Sequence, residues 1–216
     1  MRLIVGALLL GLLGACMAGT ARPPPEHGLE AGFWLDPPDC VVVLPGTASG
    51  AIGARAADRA FARHLSGRVA AVVGPDRRDA EIRDLALDLS HPVDRARYAD
   101  LTGCAHGAEL VLTGDRTYAV IWAEAAVTLK ARLLDLATGA VLWRARYRTA
   151  RGDGGLPASP LGFAFAMGRA GVLAADDDLL PSVLDDGLRA LVATLPDSRD
   201  YATSRNSSVR PLSSRK

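Results

Sequence analysis

Side chains able to ligate a metal or act as nucleophiles are sparse in this chain, which has three cysteines and four histidines in 216 residues. His27, His64, His91 and His106 fall in four separate stretches, and Cys104 stands two positions from His106 in "CAHG". A structural zinc site needs four ligands, and no Cys-x-x-Cys or His-x-x-x-His partner accompanies that pair. No metal and no cofactor is therefore predicted. Neither a Gly-x-Ser-x-Gly elbow nor a Gly-x-x-x-x-Gly-Lys phosphate loop occurs. "RGDGG" at 151–155 reads as a turn in a Gly/Pro loop, and Asp176, Asp177 and Asp178 as charge suited to a helix N-terminus. Two function classes follow. One is a non-enzymatic binding or assembly module; the other is an envelope hydrolase acting on cell-wall material, which would need a deep polar cleft with convergent carboxylates.

The most strongly marked chemistry lies at Cys16. Met1 and Arg2 precede "LIVGALLLGLLGA", and no charge falls between Arg2 and Arg22. That apolar run is shorter than the ~20 residues a membrane-crossing helix needs, so it reads as a signal peptide. Leu13, Gly14 and Ala15 stand directly before Cys16. This arrangement resembles the lipobox of bacterial lipoproteins. The resemblance implies cleavage before Cys16 and acylation of its thiol, with residues 1–15 as signal peptide and a palmitate-bearing membrane anchor. Met17 follows the cysteine where an Asp would retain many such proteins in the inner membrane. The compartment implied is the cell envelope, on the periplasmic face of the outer membrane.

A net charge of +1 with 49% hydrophobic and 23% charged residues describes an ordinary globular domain and argues against nucleic acid as a partner. Residues 16–39, with Pro23, Pro24 and Pro25, read as the lipidated cysteine and a polar connector. Residues 197–216, rich in Ser and Arg, read as a disordered tail. Between them, 40–196 alternates in type. "CVVVLPG" predicts a strand buried on both faces, stopped by Pro45 and Gly46. Residues 53–66 carry Ala56, Ala60, Phe61 and Leu65 at helical spacing. "RVAAVVG" is a second strand, and a partly helical stretch follows it. A helix then begins near Ser90 or His91 with Pro92 in its first turn and stops at Gly103. "AELVLTGD" is a third strand, and 118–149 forms a long hairpin. "LGFAFAMGRAGVLAA", apolar almost all round, predicts a packed helix. The last helix carries a core stripe of Val183, Leu184, Leu188, Leu191, Val192 and Leu195. The fold predicted is a single α/β (α+β) domain, a mixed sheet of about five strands covered by helices.

The hairpin register follows from its alternation. A three-residue loop, Ala137 to Gly139 with Gly139 left-handed, pairs Leu136 with Ala140 and places Leu133 against Trp143. Val127, Leu129, Ala131 and Leu133 then share a face with Val141, Trp143, Ala145 and Tyr147. Lys130, Arg132, Arg144, Arg146 and Arg148 share the other. Like charges opposite one another oppose pairing, which marks this stripe as a surface for something anionic: an acidic protein, or phosphate of envelope lipid or glycan. The alternative is that carboxylates of neighbouring helices neutralise it.

The order strand, helix, strand, helix, "GAELVLTG" and a hairpin carrying Asp135, Thr138-Gly139 and Trp143 resembles the amino-terminal domain of TolB and the periplasmic lipoproteins grouped around CsgG and LpoB. That resemblance covers 40–148 and implies a binding or assembly module that meets another envelope component. With Cys16 acylated and the chain exported, Cys40 and Cys104 remain as an even pair. They are either disulfide-bonded or two separate buried thiols.

Overall fold

The computed structural model describes residues 23–154, 159–199 and 201; Cys16, the apolar segment before it and residues 202–216 lie outside these. Seven strands form one mixed sheet: β1 (Glu26–Leu29), β2 (Cys40–Val43), β3 (Thr47–Gly50), β4 (Ala71–Val73), β5 (His106–Ala119), β6 (Trp122–Asp135) and β7 (Val141–Gly154). The order is β1-β7-β6-β5-β2-β4, with β3 beside β5 beyond the end of β2. β2 runs parallel to β4 and β5, β3 runs parallel to β5, and β5, β6, β7 and β1 are antiparallel.

Among the described residues there are six helices: α1 (Gly32–Leu35), α2 (Ala54–Leu65), α3 (Pro75–Asp84), α4 (Pro92–Thr102), α5 (Pro160–Ala174) and α6 (Leu179–Val192). The main core lies between the sheet and α2 and α6, around Trp143, Phe61, Leu110, Leu129 and Leu188. The alternation within β2 places Val42 on the opposite face from Val41 and Val43. Val42 joins Leu44, Tyr98, Leu134 and Leu136 in a second, smaller core near α3 and α4. Cys40 and Cys104 are disulfide-bonded at the margin of that second core, with Cα atoms 5.1 Å apart.

Several sequence-based expectations need correction. The sheet has seven strands rather than five because β1 and β3 join it. β1 comes from the stretch read as connector and pairs with β7, and Phe33 of α1 is fully buried. The far boundary moves too. Ser198 is buried and its hydroxyl donates to the Pro38 carbonyl at 2.7 Å. Pro45 and Gly46 interrupt the strand rather than end it, since the chain resumes beside β5 as β3. Tyr118 belongs to β5, and the "RGDG" stretch is the end of β7 rather than a loop. In α2 it is Ala57, not Ala56, that is buried.

The hairpin body has the predicted register: Leu133 faces Trp143, Arg132 faces Arg144 and Lys130 faces Arg146. Its tip differs. The Asp135 N–H donates to the Ala140 carbonyl, Leu134 pairs with Val141, and a bulge follows. Four residues rather than three therefore form the loop, and the bulge restores the register that a three-residue loop would have set. Leu136 turns into the second core instead of pairing with Ala140. Gly139 is left-handed as predicted, with φ +73°.

Candidate functional site

The second core covers only the β2–β4 side of its face of the sheet. Over β1, β7, β6, β5 and β3, that face carries no helix among the described residues. Side chains there follow the pleat: Glu26 and Gly28 on β1, Arg144, Arg146 and Arg148 on β7, Lys130 and Arg132 on β6, Glu109 and Val111 on β5. The twisted sheet forms an open groove of about 640 Å³ lined by Glu26, His27, Glu109, Lys130, Arg132 and Arg146 among others.

The cationic stripe is partly neutralised, and the carboxylates come from neighbouring strands and the segment after β1, not from helices. Arg132 donates to Glu109, which faces it across β5 and β6, at 2.5 Å. Arg144 lies over Gly28, where the missing side chain leaves room, and reaches Glu30 at 3.1 Å. Arg148 has Glu124 at 3.9 Å. Lys130 and Arg146 face each other across β6 and β7 and make no ion pair with any described residue. The five cations therefore divide into three with carboxylate partners and one opposed pair without. Both line the groove, where Glu26 of β1 stands opposite Arg146.

The other ionisable residues do structural work. Asp58 and Arg78 are buried together where the strand breaks at Pro45-Gly46. The break frees backbone groups, and this pair takes them up: the Gly46 N–H donates to Asp58 Oδ2 at 3.3 Å, and Arg78 donates to the Val43 carbonyl at 2.7 Å. Burial pushes the Asp58 carboxyl above its usual range, opposed by the bonds from Gly46 and Arg78. Sequence reasoning missed Asp58. The available signal was its spacing, three before Phe61 and seven before Leu65, which puts a carboxylate on the apolar stripe of α2.

The histidines do not converge. His27 lines the groove, His64 bonds Asp185 of α6 at 2.9 Å, His91 precedes α4, and His106 is buried at the start of β5. Burial lowers the His106 pKa, against the opposing pull of Asp36, Asp135 and Asp39. Tyr98 donates to Glu81, and burial with that bond raises its pKa. Cys104 is held by Cys40, so "CAHG" supplies no free thiol. Among the described residues no three His, Cys, Asp or Glu side chains gather as a metal site would require. Asp176 accepts the N–H of Asp178 ahead of α6, in a turn before the helix rather than within its first turn. Arg151 of the "RGDG" stretch is tied to Ser182 and Asp186 of α6.

No family model matches the sequence. No curated protein matches it either. Solved structures similar in fold include the following three. The PelC dodecamer from Paraburkholderia phytofirmans shows 15% identity over 78% of this chain and 98% of that one, with a TM-score of 0.42. Lipoprotein GNA1162 from Neisseria meningitidis shows 16% identity over 61% and 94%, TM-score 0.43. The LpoB C-terminal domain from Salmonella enterica shows 15% over 55% and 89%, TM-score 0.40. Likenesses this distant carry no argument about what the chain binds.

Proposed function

We propose that the chain is a lipid-anchored envelope protein that binds or helps assemble another envelope component and catalyses no reaction. It is held at the periplasmic face of the outer membrane through Cys16. Its binding face is the helix-free side of the sheet, with Lys130 and Arg146 at the centre and Arg132, Arg144 and Arg148 around them.

Two features support export and anchoring. The segment ending "LLGAC" has the n-region, apolar run and cysteine of a lipoprotein signal. The Cys40–Cys104 disulfide fits an oxidising compartment. No helix among the described residues is long and apolar enough to cross a membrane.

The observation that carries the binding role is the opposed Lys130 and Arg146. Like charges facing each other across a sheet destabilise it by a few tenths of a kcal/mol or more. Each neighbouring arginine has a carboxylate within 4 Å, whereas these two make no ion pair with a described residue, although Glu26 stands opposite Arg146 on β1. Guanidinium and ammonium groups set in a concave surface fit a carboxylate or phosphate group.

The anchor is tested by labelled-palmitate incorporation in cells. Wild-type protein takes up label, and Cys16→Ser protein takes up none while its disulfide-bonded domain remains folded. Label retained by Cys16→Ser would contradict the anchor.

A further inference from the structure

α5 was predicted to be packed, and it is packed on one face only. Its buried residues are only Ala166 and Ala170, which seat it against β6 and β7. Leu161 is 70% exposed, Phe165 67% and Val172 76%, with Phe163 and Met167 also open. Arg169 is the only charged residue of the helix, and Asp153 holds it at 2.8 Å. Ala166, Ala170 and Leu173 face the core, and Leu161, Phe163, Phe165, Met167 and Val172 face away from it. Asp153, one residue from the end of β7, places α5 at the far end of the three long strands. The β5–β6 turn at that same end exposes Tyr118, Val120 and Trp122. Apolar residues this concentrated mark a surface that meets another phase or partner.

The chain's own N-terminus indicates which. β1 is antiparallel to β7, with Glu26 opposite Arg146 and Leu29 opposite Trp143. Traced backwards from Glu26, the chain therefore heads toward the α5 end of the sheet. From Arg146 to Gly154 is eight residues of strand, about 27 Å. The ten residues from Cys16 to Pro25 reach up to about 35 Å. A lipid on Cys16 can thus sit level with α5 and the β5–β6 turn.

We propose that α5 and the β5–β6 turn rest in the headgroup region of the bilayer to which Cys16 is anchored, so that the domain lies against the membrane rather than hanging free of it. The inference rests on the proposed lipidation of Cys16. A face of Leu, Phe, Met and Val whose helix has one cation, held by Asp153, with Tyr and Trp beside it, has the composition of an interfacial contact. Seated this way, the long strands stand off the membrane and the Lys130–Arg146 groove faces sideways into the compartment.

The test uses acylated protein purified from the envelope and placed in vesicles of phosphatidylethanolamine, phosphatidylglycerol and a lipid brominated on its acyl chains. Tryptophan is introduced as Phe165→Trp, or as Val93→Trp on α4, a helix of the second core, and its added emission is compared with that of the parent protein. Both positions are exposed, so both variants should fold. The proposal expects bromolipid to quench the Phe165→Trp emission several-fold more than that of Val93→Trp. Equal, weak quenching in protein that still floats with the vesicles would overturn it, as would an unquenched Phe165→Trp whose α5 crosslinks to a second copy. Failure to float would instead overturn the lipidation of Cys16, and this proposal with it.

Discussion

His106 shows how burial alone sets a residue's chemistry. It is 4% exposed, and burial lowers its pKa although Asp36 lies 3.7 Å away. As pH falls through the ordinary histidine value near 6.5, the unfolded chain takes up a proton that the folded chain does not bind until lower pH, so stability falls there. The account predicts that denaturant midpoints of the wild type decline as pH drops below about 6.5, and that His106→Gln flattens that decline. An undiminished slope in the variant would assign it to another group. At this scale the sequence was legible in part. Four of the five cations of the stripe were placed with their correct cross-strand partners. The carboxylates that neutralise three of the five were not: Glu30 and Glu109 reach the stripe only through strand pairings that no local pattern encodes, and Glu124, on β6 of the hairpin itself, was overlooked. His106 fell outside the strand read from "AELVLTGD" because β5 begins earlier than its apolar run.

Elements with their own hydrophobic period were read well, and those without one were not. The stripe of α6 is buried as predicted, from Val183 to Leu195. β1 ("EHGL") and β3 ("TASG") have no β-branched run; they are strands because β7 and β5 offer them partners. α5 misled for a different reason: a helix apolar all round has no stripe to say which side is covered. The close seating of α6 on the sheet gives an element-scale prediction. A Cβ at Gly187 would stand 2.9 Å from both Leu129 on β6 and Thr149 on β7. Gly187→Ala is therefore expected to lose about 1–3 kcal/mol by overpacking, despite the helix preference for alanine. Urea denaturation measures it, and a stabilised variant would show that α6 has room to shift.

For the whole molecule, the disulfide joins the first residue of β2 to the loop before β5 across a sequence separation of 64. Closing a loop of that length removes unfolded-state entropy worth about 4 kcal/mol. Replacing both Cys40 and Cys104 with Ala is expected to lower stability by roughly that amount. A change near zero would mean that the second core holds that edge unaided. The proposed function turns on the helix-free sheet face, where Lys130 and Arg146 would bind an anionic envelope component. The most direct measurement changes both together, Lys130→Gln and Arg146→Gln, and follows thermal stability alongside what crosslinking in the native envelope recovers with the protein. Removing two opposed charges is predicted to leave stability unchanged or raise it by a few tenths of a kcal/mol, while the crosslinked component is lost. Lowered stability with the component retained would contradict the claim and make these two cations part of the fold alone.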